Sequence, residues 1–145
     1  MKYSALSKFE LSASSRDEVI KELLDLFSVG EKSRGLLAVA LDIREKVGAT
    51  VVHSSIALPH CRSILVDKLT IAVGKSSAGI PWPEEKVNTV VLFISPVNLT
   101  APQEHSKFLA HIAGKIKNSG DKIIASSNQD ELLKLLGFQL EKQGE

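Results

Sequence analysis

In the stretch Ile56-Ala57-Leu58-Pro59-His60-Cys61-Arg62, an apolar run stops at a proline and hands the chain on to a histidine, with an arginine two residues later. Histidine is nucleophilic, largely neutral around physiological pH, and able to carry a phosphoryl group on a ring nitrogen without a metal. Arginine presents a planar fork of donors that matches phosphate oxygens. Pro59 fixes its own φ and keeps Leu58 extended, so the imidazole of His60 is predicted at a rigid strand end, which lowers the ordering cost of a reaction. A second imidazole, His105, falls in the opening turns of a predicted helix, where unpaired amides and the positive end of the macrodipole favour an anion. Arg44, near the end of another predicted helix, and Arg62 are candidate neutralisers of the charge that phosphoryl transfer builds on its equatorial oxygens. Taken singly, each of these side chains reads equally as a solvated polar group.

The remaining reactive side chains carry less. His111 lies six residues beyond His105 on the same predicted helix, roughly 120° around it, and cannot share a metal with it there. His53 is predicted in a polar turn. No cysteine and histidine spacing resembles a zinc site, and neither a Walker-type loop, nor Gly-x-Gly-x-x-Gly, nor Gly-x-Ser-x-Gly occurs. Cys61 reads as a small packing residue, since nothing in the neighbouring sequence activates it. Trp82, in Ile80-Pro81-Trp82-Pro83, reads as a core or turn anchor.

The elements that must position these groups are marked by caps and by periodicity. Ser15-Arg16-Asp17-Glu18 is a capping box that starts a helix carrying Val19, Leu23, Leu26 and Phe27 on one stripe, with a stop expected at Val29-Gly30. A second helix is predicted from about Ser33 to Val47, packing on the first and ending at Gly48. From Ala49 the period changes to that of strands, at Thr50–Val52, Ile56–Leu58 and Leu69–Val73. The nearly continuous apolar run Val87–Ile94 suits a strand covered on both faces and is the candidate for the sheet centre. Thr100-Ala101-Pro102-Gln103 opens a third helix with Phe108, Leu109, Ile112 and Ile116 facing a core. Asn128 caps a fourth whose Leu132, Leu133, Leu135 and Leu136 close that core. Between them, Ile123 and Ile124 form either a short strand or a connector. The pattern predicts an α/β fold: a mixed, mostly parallel sheet of about five strands flanked by helices on both faces.

Composition sets outer bounds on function. At 145 residues and 43% apolar content, residues 1–145 are expected to form a single domain with one core. Eighteen basic and 17 acidic residues give a net charge of +1 without blocks of like charge, which disfavours nucleic-acid backbones and anionic membranes as partners. One cysteine excludes an internal disulfide framework, and no segment has the length of a bilayer span or the character of a secretory signal, so a cytoplasmic protein is expected.

Several separated segments, in order, resemble the enzyme IIA domains of the bacterial phosphoenolpyruvate-dependent phosphotransferase system, of the fructose, mannitol and nitrogen-regulatory type. Arg44-Glu45-Lys46 looks like the family's Arg-Glu element and Ile56-Ala57-Leu58-Pro59-His60 like its phosphorylation motif. Ile80 to Trp82 and Val87 to Pro96 resemble the following sheet segment, and His105 with Leu109-Ala110 resembles its second histidine and the helix after it. The likeness runs from about Ser14 to Leu136. It implies that His60 accepts a phosphoryl group from the histidine phosphocarrier protein, with His105 hydrogen-bonding the phosphoryl group or His60 and Arg44 supporting the site, and that no metal or organic cofactor is needed. Downstream, it implies a IIB domain, or a regulated transporter or kinase. A free-standing domain points to the nitrogen-regulatory branch, with a sugar-specific fructose or mannitol component as the alternative. One departure stands out: the family usually has glycines before the motif and often one after the histidine, whereas this chain has Val51-Val52-His53-Ser54-Ser55 and Cys61. Because glycine permits close backbone approach to phosphate, a third reading is a binding module that no longer takes up phosphate.

Overall fold

The computed structural model describes residues 3–48, 50–53, 55–82, 85–97, 102–126 and 128–137. Helix α1, Arg16–Leu24, starts where the capping box requires: the Glu18 amide donates to Ser15 Oγ at 3.3 Å, and the Ser15 hydroxyl donates to the Glu18 carboxylate at 2.8 Å. It stops earlier than expected. After Leu24 the chain tightens through Leu26 N to Leu23 O and Phe27 N to Leu24 O bonds, a bend that buries Phe27 in the core instead of continuing the helix to Gly30. Helix α2, Glu31–Val47, begins at Gly30, slightly before the predicted start, and packs on α1.

Among the described residues the sheet has six strands, one more than the apolar pattern indicated. Strand β1, Tyr3–Phe9, runs parallel to β5, Leu69–Pro81; β5 is antiparallel to β6, Lys86–Pro96. On the other side of β6 lie β3, Ile56–Ala57, and β4, His60–Ser63, both parallel to it, and β2, Val51–His53, pairs antiparallel with β3. Three pairings are therefore parallel and two antiparallel, and β6 sits at the centre as its apolar run predicted. Strand β1 carries too few large apolar residues to stand out. Strand β5 continues past Gly74, paired with β6, and that glycine is a packing residue: a Cβ there would come within 2.8 Å of the Leu11 side chain.

Side-chain alternation divides the core in two. Val90, Leu92 and Ile94 of β6 join Leu23 of α1 and Leu37 and Leu41 of α2 on one face. Val91 and Phe93 join Ile112, Ile116 and Ile123 of α3, Pro102–Ala125, and Leu132, Leu133 and Leu136 from α4, Gln129–Leu135, and its end on the other. Asn128 caps α4 as expected, accepting from the Glu131 amide at 3.0 Å. The Thr100-Ala101 part of the segment expected to cap the third helix lies outside the described residues. Ile123 and Ile124 are neither strand nor connector; they form the last turn of α3, and their carbonyls accept from the Lys75 ammonium, whose pKa burial lowers to about 8. Among the described residues, no helix is long and apolar enough to cross a membrane.

Candidate functional site

Strands β3 and β4 lie end to end along β6, and Pro59 is the reason they are two strands. The Leu58 amide turns to the Thr50 carbonyl at 2.7 Å, Pro59 has no amide to give, and pairing with β6 resumes as Phe93 N donates to Pro59 O at 3.0 Å. His60 is therefore the first residue of a new strand, not the last of an old one. In register it sits beside Phe93, and Arg62 sits beside Ser95, so these four side chains share the face that α3 covers. Cys61, between them, points the other way and packs against the α1–α2 core.

The imidazole of His60 is 6% exposed. Its Nδ1 lies 2.8 Å from the Leu58 carbonyl oxygen, and because a carbonyl only accepts, Nδ1 carries the proton of the neutral ring and Nε2 keeps its lone pair. Burial pushes the pKa below the ordinary histidine value; the Leu58 bond raises it, Arg44 lowers it and Glu45 raises it. In that tautomer the lone pair of the neutral ring is on Nε2.

Three rings meet at this point. Phe93 stacks on His60 with ring centres 5.5 Å apart and a 13° interplanar angle, and lies 5.4 Å from His105. His60 and His105 are 6.0 Å apart, centre to centre. The Nδ1 atom of His105 is hydrogen-bonded to the Ser95 hydroxyl. Burial, with smaller contributions from His60 and Arg62, lowers the pKa of His105 to about 4, so this ring too is neutral.

Arg44 occupies the last turn of α2, where its Nη1 donates to the Gly48 carbonyl at 3.2 Å, and its charge acts on His60. Next to it, the buried Glu45 carboxylate accepts from the Thr50 amide at 3.2 Å, from the Thr50 hydroxyl, and from the indole of Trp82 at 3.2 Å. Glu45 thereby ties the end of α2 to the segment that leads into β2 and β3, and Trp82 is the buried anchor that its composition suggested. The structure brings His60 and His105 into ring contact and sets Arg62 on the same face in register with Ser95, while Arg44, at the end of α2, is near enough for its charge to lower the pKa of His60.

The other candidates stay apart from it. His53 ends β2 instead of lying in a turn; its ring fills the space where a Cβ on Gly120 would stand, beside a break in α3 at Ser119, and its Nε2 is 4.0 Å from Asp121. His111 reaches toward the Gly137 carbonyl at the start of the C-terminal segment. Burial pushes the Cys61 thiol up to about 12, which makes it inert. Among the described residues, no group of three or more His, Cys, Asp or Glu side chains forms a metal site. Phe93 and Ser95 are the residues that sequence reasoning missed; Phe93 falls in the apolar run of the central strand and Ser95 just beyond it, and only the pairing with β4 sets them beside His60 and Arg62. The missing glycines also have a visible trace: Ser55 adopts a φ of +72°, a left-handed conformation that glycine occupies without strain, while its carbonyl accepts the Asn88 and Thr89 amides.

Comparison with known proteins agrees with this arrangement. The family described as phosphoenolpyruvate-dependent sugar phosphotransferase system, EIIA 2, matches residues 4–138. Multiphosphoryl transfer protein 2 of Escherichia coli is 23% identical over 131 residues, 88% of this chain, which spans only 16% of that protein's length. The nitrogen regulatory protein IIA-Ntr of Neisseria meningitidis shares the fold with a TM-score of 0.73 at 23% identity, covering 91% of each chain. The mannitol enzyme IIA of Escherichia coli, solved in complex with phosphorylated enzyme IIB, shares it with a TM-score of 0.66 at 19% identity, covering 90% of this chain and 92% of its own. With its fold, its ordered motifs and a family match over nearly its whole length, the chain belongs to the EIIA 2 family of the phosphoenolpyruvate-dependent sugar phosphotransferase system.

Proposed function

We propose that the protein is a phosphocarrier whose acceptor atom is Nε2 of His60. The observation that carries this reading is the Nδ1 to Leu58 carbonyl bond, which leaves Nε2 as the nucleophile in a ring 6.0 Å from a second neutral imidazole. In the proposed reaction the His60 Nε2 lone pair attacks the phosphorus of a phosphohistidine on a carrier protein. A new N–P bond forms as the donor's N–P bond breaks, and the donor ring keeps the bonding electron pair. Arg44 and Arg62 offset charge on the equatorial oxygens, His105 donates to the phosphoryl group, and Nδ1–H of His60 continues to donate to Leu58, so the ring does not turn during transfer. No metal or organic cofactor enters the scheme.

The donor in this reading is the histidine phosphocarrier protein. The recipient is a IIB domain, or the phosphoryl group serves as a mark that selects contact with a transporter or kinase, as in the nitrogen-regulatory type. Incubation with phosphoenolpyruvate and the general phosphotransferase proteins, followed by intact-mass measurement, is expected to show gain of one acid-labile phosphoryl group that is absent in His60→Ala. Retention of the label in that variant refutes the site, and absence of any gain in the native protein leaves a binding module. Capture of partners by the phosphorylated and unphosphorylated forms then separates relay from switch: a switch requires that the two forms retain different proteins.

A further inference from the structure

We propose that Ser95 is a positioning residue of the phosphoryl site, its buried hydroxyl donating to Nδ1 of His105 and thereby holding His105 in the tautomer that carries its proton on Nε2. Residues 91 and 93 on the α3 face are Val and Phe, part of a dry core, and at the next position on that face the chain places a fully buried hydroxyl. Its recorded partner among the described residues is the Nδ1 atom of His105. A buried hydroxyl whose proton finds no acceptor pays its desolvation without return, so donation to a lone pair on Nδ1 is the arrangement that satisfies both groups. A neutral ring has one proton, and with Nδ1 accepting, that proton is on Nε2. Arg62, in register with Ser95, opposes a second proton on the ring.

The consequence is one of sign, and it rests on the reading of His60 as phosphoryl acceptor. With Nε2–H, His105 meets a phosphoryl oxygen as a hydrogen-bond donor; with the proton on Nδ1, it meets the same oxygen with a lone pair, and the contact becomes repulsive. Phe93, in contact with both imidazoles, holds the ring planes, and Ser95 selects the tautomer.

Two measurements test this. In the unphosphorylated protein, long-range 1H–15N correlation of the imidazoles is expected to show His105 as the Nε2–H tautomer, to lose that preference in Ser95→Ala, and to regain it in Ser95→Thr, with thermal melting confirming that all three are folded. Phosphoryl uptake from the phosphorylated carrier is expected to slow about tenfold to a hundredfold in Ser95→Ala, less than the roughly hundredfold to thousandfold of removing a donor outright because the His105 ring remains, and to recover in Ser95→Thr. An Nδ1–H tautomer in the native protein, or a tautomer and rate unchanged in Ser95→Ala, overturns the role of Ser95. Failure of the native protein to take up phosphate overturns the acceptor reading instead, and the tautomer measurement, made without phosphate, tells the two failures apart.

Discussion

Leu92 and Phe93 are neighbours on β6, both fully buried, and they serve opposite sides of the sheet. Leu92 belongs to the layer beneath α1 and α2, an all-apolar packing problem in which Val90, Leu92 and Ile94 meet Leu23, Leu37 and Leu41. Phe93 belongs to the layer beneath α3, where the same apolar row gives way within one residue pair to His60, Ser95 and His105. Strand β4 repeats the division on a smaller scale, with Cys61 sealed into the first layer and His60 and Arg62 turned to the second. The difference teaches how this fold holds a buried imidazole rigidly at the margin of an apolar layer. Under α1 and α2 the row from β6 meets only apolar side chains, with the buried Glu45 held at the margin by Trp82 and Thr50, while on the other face the edge of the core holds rings in place.

Leu92→Ala should break the first face alone. It is expected to cost roughly 2–5 kcal/mol of stability, because a fully buried leucine leaves a cavity, yet the folded fraction should still take up phosphate at the native rate. Chemical denaturation with a parallel labelling assay below the melting transition checks both halves, and slow labelling of folded protein counts against the independence of the two faces. Phe93→Leu should break the second face. Loss of the ring contacts is expected to remove roughly 1–2 kcal/mol of stability, and uptake is expected to slow by about tenfold or more as the imidazoles lose their alignment. An unchanged rate would show that β4 alone fixes His60.

The smallest effect expected is in the pH profile. Burial lowers the pKa of His60, so its ring is less protonated than a free imidazole at the same pH, and His105, lowered to about 4, stays neutral where a free imidazole is half protonated. With the donor saturating, the rate of phosphoryl uptake is expected to fall less, and at lower pH, than for an exposed histidine, which loses most of its nucleophilic form between about pH 7.5 and about pH 6. Stability also falls with pH. The unfolded chain binds protons at these positions near its ordinary value of 6.5 and the folded chain only at lower pH, so the folded state loses stability as the pH drops below about 6.5. Denaturation midpoints measured across that range check the sign.

Much of the fold was legible where a local rule was strong. Ser15 with Glu18 and Asn128 before Glu131 marked helix starts because caps satisfy amides within a few residues of themselves. The run Val87–Ile94 marked the central strand because only a strand covered on both faces needs apolar residues at consecutive positions. Less was legible where the deciding contact was distant. Strand β1 is held by its pairing with β5, more than sixty positions along the chain, and its own alternation is faint. The end of α1 was set by the burial of Phe27, not by the glycine that a helix rule looks for.

The sequence by itself determined the chemistry available: an imidazole behind a proline, a second one near a helix start, two arginines, and the positions of the caps and the core strand. These are properties of side-chain type and short-range spacing, and they do not depend on what the chain later meets. Only the tertiary structure decided which nitrogen of His60 is free, that Phe93 and Ser95 stand beside the two histidines, and that His53, His111 and Cys61 do not. Those outcomes depend on strand register and on which face a residue takes, and register is settled by the packing of both faces at once, not by any stretch of chain read alone.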